Sequence, residues 1–414
     1  MMGKRLKGVL VRAAVPAALL AQCAGASAAE AVSLPGVPFI TNSSLTIHAR
    51  AYNLNRHYDT PHTQESLALG GWLLFESGEW RGLSFGLAPY TSQRIAGPDE
   101  HDGGSLLQAG QQGYTVLGQA YARLRGWDTQ VTLYRQILET PLLNSYDCKM
   151  TPVTFEAYAL VNSSISNLSV TVAQVEKIKT WTASSFRSLG EAAGYDNTSD
   201  GITLAGVTWA CDPLSLQAWE YYAHNMVNSL YAQADFRQSP EEGLPAWSVS
   251  AQGLGQHEVG AAYAGEIRTG MCGLLAGLAW EGFTLTAGGT ATDSGACIFN
   301  PWASYPGYTS LIEEDCNMAG EKAWMAGLAY DFAEIGLDGL GAFMNHSEAW
   351  APGLGSLSDP EQFETNFTVD YGAGGLLRGL SVRARAAFVR NSLSMNGADY
   401  DDFRVIVNYE RRIF

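Results

Sequence analysis

The sequence is poor in charge and in cysteine, and it has no long apolar run in its main part. Charged residues make up 16% of its 414 residues, and there are six cysteines. No segment after residue 30 approaches the roughly 18 to 20 consecutive apolar residues that a membrane-spanning helix needs. The sequence therefore excludes a helical membrane protein, and it also excludes a small disulfide-rich scaffold.

Basic residues are scarcer than acidic ones. The chain has 25 Lys and Arg against 41 Asp and Glu, which gives a formal net charge of −16. A nucleic acid is not an expected partner, because phosphate binding needs a basic face. The hydrophobic content of 46% and the aromatic content of 11% exclude a disordered chain and a coiled coil.

The first thirty residues have the pattern of an export signal. Four basic residues precede an apolar stretch at 13–21, and the small residues Ala26, Ser27 and Ala28 form a cleavage site. We predict a signal peptide at 1–28 and a single exported domain at 29–414.

Five cysteines remain after that cleavage, an odd number for an oxidising compartment. Cys297 and Cys316 bracket a segment rich in Pro, Trp and Tyr that is typical of a long loop. A disulfide between them would fix this loop, and two free thiols are the alternative. Because the sequence has no CxxC motif and no Cys/His cluster with zinc spacing, no metal site or cofactor is predicted.

Apolar and polar residues alternate with a period of two along most of the chain. In 45–52 the apolar Leu45, Ile47, Ala49 and Ala51 alternate with polar or aromatic neighbours. The same alternation occurs in residues 168–173, 324–332 and 382–388. This alternation predicts strands that are apolar on one face. Strands of about ten residues are long for a soluble sheet, and they have the length that crosses a bilayer at a tilt.

The turns separate a membrane barrel from a secreted β-protein, because outer-membrane barrels alternate short turns with long loops. Short links are predicted at 77–80, 126–128, 163–166, 211–213, 281–282 and 375–377. Long Gly, Asn, Asp and Pro-rich segments lie at 92–113, 138–153, 179–200, 254–270, 293–320 and 349–362. The count is about eighteen strands, and an even number closes an antiparallel barrel in lipid without an exposed edge.

Several segments resemble the OprD family of outer-membrane porins. Residues 140–156, TPLLNSYDCKMTPVTFE, are similar to the inward-folding third-loop signature of that family. Residues 168–179, 320–332, 377–385 and 404–407 resemble further family strands, in family order over nearly the whole exported chain.

The resemblance implies a transmembrane β-barrel of eighteen strands in the outer membrane of a Gram-negative bacterium, with its third loop folded into the lumen. It also implies passive diffusion of small water-soluble solutes such as amino acids, small peptides or small carboxylates. The expected partners are outer-membrane lipids and small polar or anionic solutes. The sequence does not determine whether the protein is a monomer or a trimer.

Five arginines share the inward-facing parity of neighbouring strands. They lie on the first, seventeenth and last strands, and we call them the arginine ladder: Arg50, Arg56, Arg383, Arg385 and Arg404. Guanidinium groups along one wall of a narrow pore offer an anion successive bidentate partners. This wall resembles the basic ladder of the family. The alternative is that these arginines pair with lumen acids such as Asp331 and stiffen the barrel.

The third loop is expected to form the constriction opposite the ladder. Its polar side chains would face the bore: Asn144, Ser145, Asp147 and Lys149. Acids such as Glu313, Glu314 and Asp315 are predicted in outer loops, where they would repel or bind cations at the mouth.

Two other functions remain open from the sequence. The first is an outer-membrane barrel hydrolase, although His48, His224, His257 and His346 are scattered and no Gly-x-Ser-x-Gly motif is present. The second is a structural or adhesive barrel plugged by its loops. The favoured interpretation is a porin without enzymatic activity.

Overall fold

The computed structural model describes residues 38–60, 62–195, 200–238, 243–352 and 360–414, and the predicted signal peptide lies outside them. The described chain is almost entirely β-structure. Its strands are β1 (Ser44–Tyr58), β2 (Thr63–Glu76), β3 (Leu83–Ala96), β4 (Tyr114–Gly126), β5 (Thr129–Gln136), β6 (Thr154–Ile165), β7 (Leu168–Lys179), β8 (Arg187–Ser188), β9 (Ile202–Cys211), β10 (Leu214–Ala223), β11 (Val227–Arg237), β12 (Ala246–Glu258), β13 (Arg268–Trp280), β14 (Phe283–Thr292), β15 (Lys322–Asp331), β16 (Leu340–Trp350), β17 (Glu361–Gly372), β18 (Leu380–Ser392) and β19 (Ala398–Arg412).

Helical structure is confined to single turns. Two four-residue helices, α1 (Pro38–Thr41) and α2 (Leu189–Ala192), and three short 3₁₀ segments, Ala109–Gln111, Phe332–Ile335 and Gly375–Leu377, occur in the described residues. None of the described helices is long and apolar enough to pass through a membrane.

The strands form one closed antiparallel sheet. Each long strand pairs with its neighbours in the chain, and β1 pairs with both β2 and β19, which closes the ring. The two-residue strand β8 pairs with β7 and lies outside the ring. Within the ring, β7 pairs directly with β9. The predicted eighteen-stranded barrel is therefore confirmed, with one additional short strand. A closed ring leaves no strand edge unpaired, as a lipid environment requires.

The alternation predicted from the sequence orients the side chains of the barrel. On β14, Phe283 and Leu285 point outward and are about half exposed, whereas Thr290 on the opposite face is buried. Large apolar side chains are exposed on nearly every strand of the ring. A soluble monomer rarely carries an apolar belt of this extent, and the lipid-facing surface of a membrane barrel is built in this way.

The connections are close to those predicted, with one clear exception. The short turns lie at 77–82, 127–128, 166–167, 212–213, 281–282 and 373–379. The predicted long segment at 254–270 contains a shorter loop, at 259–267, because β12 extends to Glu258 and β13 begins at Arg268. The predicted loops at 179–200 and 349–362 include residues 196–199 and 353–359, which lie outside the described residues.

The predicted disulfide is contradicted by the structure. All five cysteines of the described residues are free thiols. The Sγ atom of Cys316 is buried and lies 3.6 Å from the carbonyl oxygen of Thr309, whereas Cys297 is exposed with its Sγ 3.8 Å from the Sδ of Met318. The two thiols therefore contact different partners, and the loop between them is held by other contacts.

Candidate functional site

Two long loops fold into the interior of the barrel. We call residues 137–153, between β5 and β6, loop 3, and residues 293–321, between β14 and β15, loop 7. Leu142 and Leu143 of loop 3 pack in one apolar cluster with Phe155 of the wall, and Trp302 and Tyr305 of loop 7 join the same cluster. Burial of this apolar surface holds both loops inside.

Polar contacts fix loop 3 in this position. Lys179, at the end of β7, is completely buried, and its Nζ donates to Thr151 Oγ1 at 2.7 Å and to the carbonyl oxygen of Pro152 at 3.0 Å. Asn144 ties loop 3 to loop 7, because its Oδ1 accepts a hydrogen bond of 3.1 Å from the hydroxyl of Ser304. The two loops thus form a connected insert in the lumen.

A cavity of about 770 Å³ lies between these loops and the wall formed by β17, β18, β19 and β1. Among the predicted site residues, it is lined by Asn144, Ser145 and Asp147 of loop 3 and by Arg50, Arg383, Arg385 and Arg404 of the wall. The far wall presents the neutral side chains of Gln217, Tyr231 and Gln233.

Two predicted residues, Lys149 and Arg56, do not line the cavity. Lys149 is buried, its Nζ donates to the carbonyl oxygen of Gly104 at 3.1 Å, and it lies over the ring of Trp181. Burial, with the charge of Arg404 nearby, lowers the pKa of Lys149 to about 7. Arg56 is covered by Glu313 of loop 7. The parity of a strand gives the direction of a side chain, and it does not show which loop will cover it.

Two arginines of the ladder pair with carboxylates across the cavity wall. Arg50 donates to both oxygens of Asp147 in loop 3, at 2.7 and 3.1 Å, and its Nε donates to Asn408 at 2.7 Å. Arg383 makes a bidentate pair with Asp370 of β17, at 2.5 and 2.9 Å. The charges of these two arginines are therefore compensated locally.

Arg56 and Arg404 form a buried group of four charges with Asp402 and Glu313. The Nε atoms of Arg56 and Arg404 donate to Asp402 at 2.8 and 2.6 Å, and the Nη2 atoms of both arginines donate to Glu313. We call these four residues the charge quartet. Its side chains are between 1% and 13% exposed.

Arg385 is the ladder arginine that forms no ion pair with a carboxylate among the described residues. Its Nε is buried without a hydrogen-bond partner, and its side chain lines the cavity. It lies directly across from Arg404 in the register of β18 and β19. The hydroxyl of Tyr52, which also lines the cavity, is buried without a partner as well. A buried polar group without a protein partner is costly, so both groups are available to water or to a ligand in the cavity.

The prediction that loop acids lie at the outer mouth is wrong for loop 7. Glu313 belongs to the charge quartet, and the buried Glu314 accepts hydrogen bonds from the hydroxyls of Ser392 and Tyr400 at 2.7 and 2.5 Å. Asp315 lines the cavity. Four of the five ladder arginines pair with acids, as the alternative interpretation expected. Asp331, the acid named as an example, is not one of their partners. The Pro, Trp and Tyr-rich composition of 298–315 was the available signal that this loop packs against protein.

Three of the four candidate histidines form hydrogen bonds with groups other than a serine. His48 pairs with Glu410 at 3.0 Å, and His224 and His346 contact the hydroxyls of Thr203 and Thr365. These contacts combine no serine, histidine and acid in one chain of hydrogen bonds, which a catalytic triad requires.

Comparisons with known proteins agree with the fold. The family model described as "outer membrane porin, OprD family" matches residues 37–413. Pseudomonas aeruginosa OccK9 (OpdG) is a similar solved structure, with 22% sequence identity, a TM-score of 0.84, and coverage of 91% of this chain and 100% of that chain. A BenF-like porin from Pseudomonas fluorescens Pf-5 has 20% identity, a TM-score of 0.82, and coverage of 91% of this chain and 100% of its own. Pseudomonas aeruginosa OpdK with vanillate has 19% identity, a TM-score of 0.81, and coverage of 90% of this chain and 100% of its own. Comparison with curated proteins gave no match.

Proposed function

The chain belongs to the OprD family of outer-membrane porins, and we propose that it passes small solutes that carry a carboxylate through the cavity beside Arg385. The protein is a β-barrel channel of the Gram-negative outer membrane. The proposed solutes are amino acids, small peptides and small carboxylates, with loop 3 as the constriction. Residues 1–28 are proposed to be the export signal that precedes the porin domain at 29–414.

The observation that carries this proposal is the unpartnered guanidinium of Arg385 in the lumen. Arg50, Arg383 and Arg404 also line the cavity, but each is already paired with a carboxylate. A free guanidinium that faces water in a narrow space attracts anions and offers a carboxylate two parallel hydrogen bonds. The uncompensated positive charge of the basic wall is therefore concentrated at Arg385. The charges of Arg50, Arg383 and Arg404 around it are neutralised by carboxylates.

The remainder of the cavity suits the other end of a small solute. Gln217, Gln233 and Tyr231 on the opposite wall offer amide and hydroxyl groups, and Tyr305 adds an aromatic surface. A solute with a carboxylate at one end and a polar or aromatic group at the other fits this arrangement. Vanillate, the molecule named with the similar structure of OpdK, belongs to this chemical class.

Replacement of Arg385 by alanine tests the proposal. Unit charges about 4 Å apart interact by about 1 kcal/mol even in bulk water. We therefore expect the chloride-to-potassium permeability ratio to fall about fivefold, which corresponds to about 1 kcal/mol. The ratio is obtained from the reversal potential of the purified protein in a planar bilayer under a KCl gradient.

Arg390→Ala is the matched control. Arg390 lies on the same strand, but it is exposed and paired with Asp399 and Asp401 at 3.8 and 2.8 Å. The control removes the same charge without changing the cavity, so its permeability ratio should remain that of the wild type. An equal ratio for Arg385→Ala and the wild type would remove Arg385 from the anion path.

A further inference from the structure

The charge quartet contains two carboxylates of different origin. Asp402 lies on β19 beside Arg404, and it pairs across the strands with Arg56 of β1, so it is a fixed part of the wall. Glu313 comes from loop 7, which begins and ends at β14 and β15 on another part of the ring. The wall alone would therefore carry two guanidinium groups and one carboxylate, and the loop supplies the second carboxylate.

Glu313 binds as a free carboxylate ligand would bind. Its two oxygens accept from the Nη2 atoms of Arg56 and Arg404, one oxygen to each arginine. The bridging carboxylate leaves 3% of its own side chain exposed. Removal of one partner from a buried ion pair leaves an uncompensated charge, which is strongly unfavourable. Without Glu313 the wall would keep one uncompensated positive charge, which an anion at this position can neutralise.

Polar contacts hold residues 312–314, the segment that carries Glu313, to the wall. The carboxylate of Glu364 on β17 accepts the backbone N–H groups of Ile312 at 2.9 Å, of Glu313 at 3.2 Å and of Glu314 at 3.0 Å. The hydroxyl groups of two wall residues bind the next carboxylate, Glu314. Contacts of this kind exchange with water at a modest net cost, so the segment can leave the wall while the barrel stays intact.

We propose that Arg56 and Arg404 form a second carboxylate-binding site, and that Glu313 is a tethered ligand that occupies it and competes with solute carboxylates. The inference rests on the proposed function and extends the path beyond Arg385. Arg385 and Arg404 lie opposite each other on the neighbouring strands β18 and β19. A carboxylate held at Arg385 is therefore adjacent to Arg404, which belongs to the second site. A solute would move onward by displacing Glu313.

Glu313→Gln tests the competition, because glutamine keeps the size of the side chain and removes its charge. Benzoate, a carboxylate large enough to interrupt the ion current, is the probe in single-channel recordings. A tethered ligand acts at an effective concentration of about millimolar, so its loss should lower the half-blocking concentration of benzoate about tenfold.

Glu314→Gln is the matched control, since it makes the same change one residue later. Its amide oxygen can still accept from Ser392 and Tyr400, and residue 314 contacts neither arginine of the quartet. The half-blocking concentration should therefore remain close to that of the wild type. Glu313→Asp keeps the charge of the loop but shortens its reach, and an intermediate value is expected.

Equal benzoate block in Glu313→Gln, Glu314→Gln and the wild type would overturn the inference, as would wild-type block in Glu313→Asp if the glutamine variant does not fold. The benzoate experiment and the Arg385→Ala experiment can give different outcomes, so failure of the second site is distinguishable from failure of the proposed function. Stronger block in Glu313→Gln together with an unchanged permeability ratio in Arg385→Ala would reject the role of Arg385 and keep the second site. The opposite pair of results would keep Arg385 and reject the competition.

Discussion

Replacement of Leu143 by aspartate is expected to raise the single-channel conductance several-fold. Leu143 is completely buried in the apolar cluster that joins loop 3 to the wall and to loop 7. An unpaired carboxylate at this position would cost several kcal/mol and would oppose the docking of loop 3. Loop 3 should therefore leave the lumen, and the cross-section available to ions should increase. Recordings in a planar bilayer with symmetric KCl measure the change.

The conservative variant Leu143→Met distinguishes loop release from a general effect of mutation. Methionine keeps the volume and the apolar character, and volume-conserving exchanges in a core usually cost less than about 1.5 kcal/mol. Its conductance should equal that of the wild type. If Leu143→Asp folds as a barrel and conducts like the wild type, loop 3 does not narrow the pore.

Alanine is expected to have opposite effects at two glycines of the same barrel. Gly71 on β2 has a φ of +123°, and a Cβ there would lie 1.9 Å from the carbonyl oxygen of His48 on β1. Gly255 on β12 has no atom within 4 Å of such a Cβ. We expect Gly71→Ala to lower the free energy of unfolding by about 3 kcal/mol or more, through backbone strain and separation of β1 from β2.

Gly255→Ala provides the internal control for this prediction. Alanine loses less conformational entropy than glycine when it enters a strand, so the variant should be more stable by about 0.5 to 1 kcal/mol. Urea unfolding in detergent micelles, followed by the mobility of the folded barrel in electrophoresis, gives both values. Similar midpoints for the two variants would show that Gly71 does not determine how β1 and β2 approach.

The barrel was predictable from the sequence because its rule is local. A period of two fixes which residues of a strand face lipid, and the exposed Val170 and Val172 of β7 and the inward Arg385 of β18 follow that rule. The loop predicted at 254–270 is present but shorter, at 259–267. Gly255 belongs to β12 and Gly270 to β13, and a glycine by itself does not distinguish a strand from a turn.

The site was only partly predictable, because its charges are compensated by residues distant in the chain. The inward direction of Arg56 and Arg404 follows from parity, but their contact with Glu313 depends on how loop 7 docks. The docking depends in turn on Glu364, whose carboxylate accepts three backbone N–H groups of the loop. No local pattern connects residues 313 and 364. The basic residues were therefore predictable, as was the place of Asp147 in the lumen, whereas the pairing of acids with arginines was not.

In the proposed function, a water-filled path passes through the barrel beside the inserted loops. Single-channel recording of the purified wild-type protein in a planar bilayer tests it most directly. We expect discrete current steps whose reversal potential shifts when Arg385 is replaced. A protein that migrates as a folded barrel and inserts into the bilayer, yet gives no steps in KCl, would instead be a plugged structural barrel and would contradict the transport function.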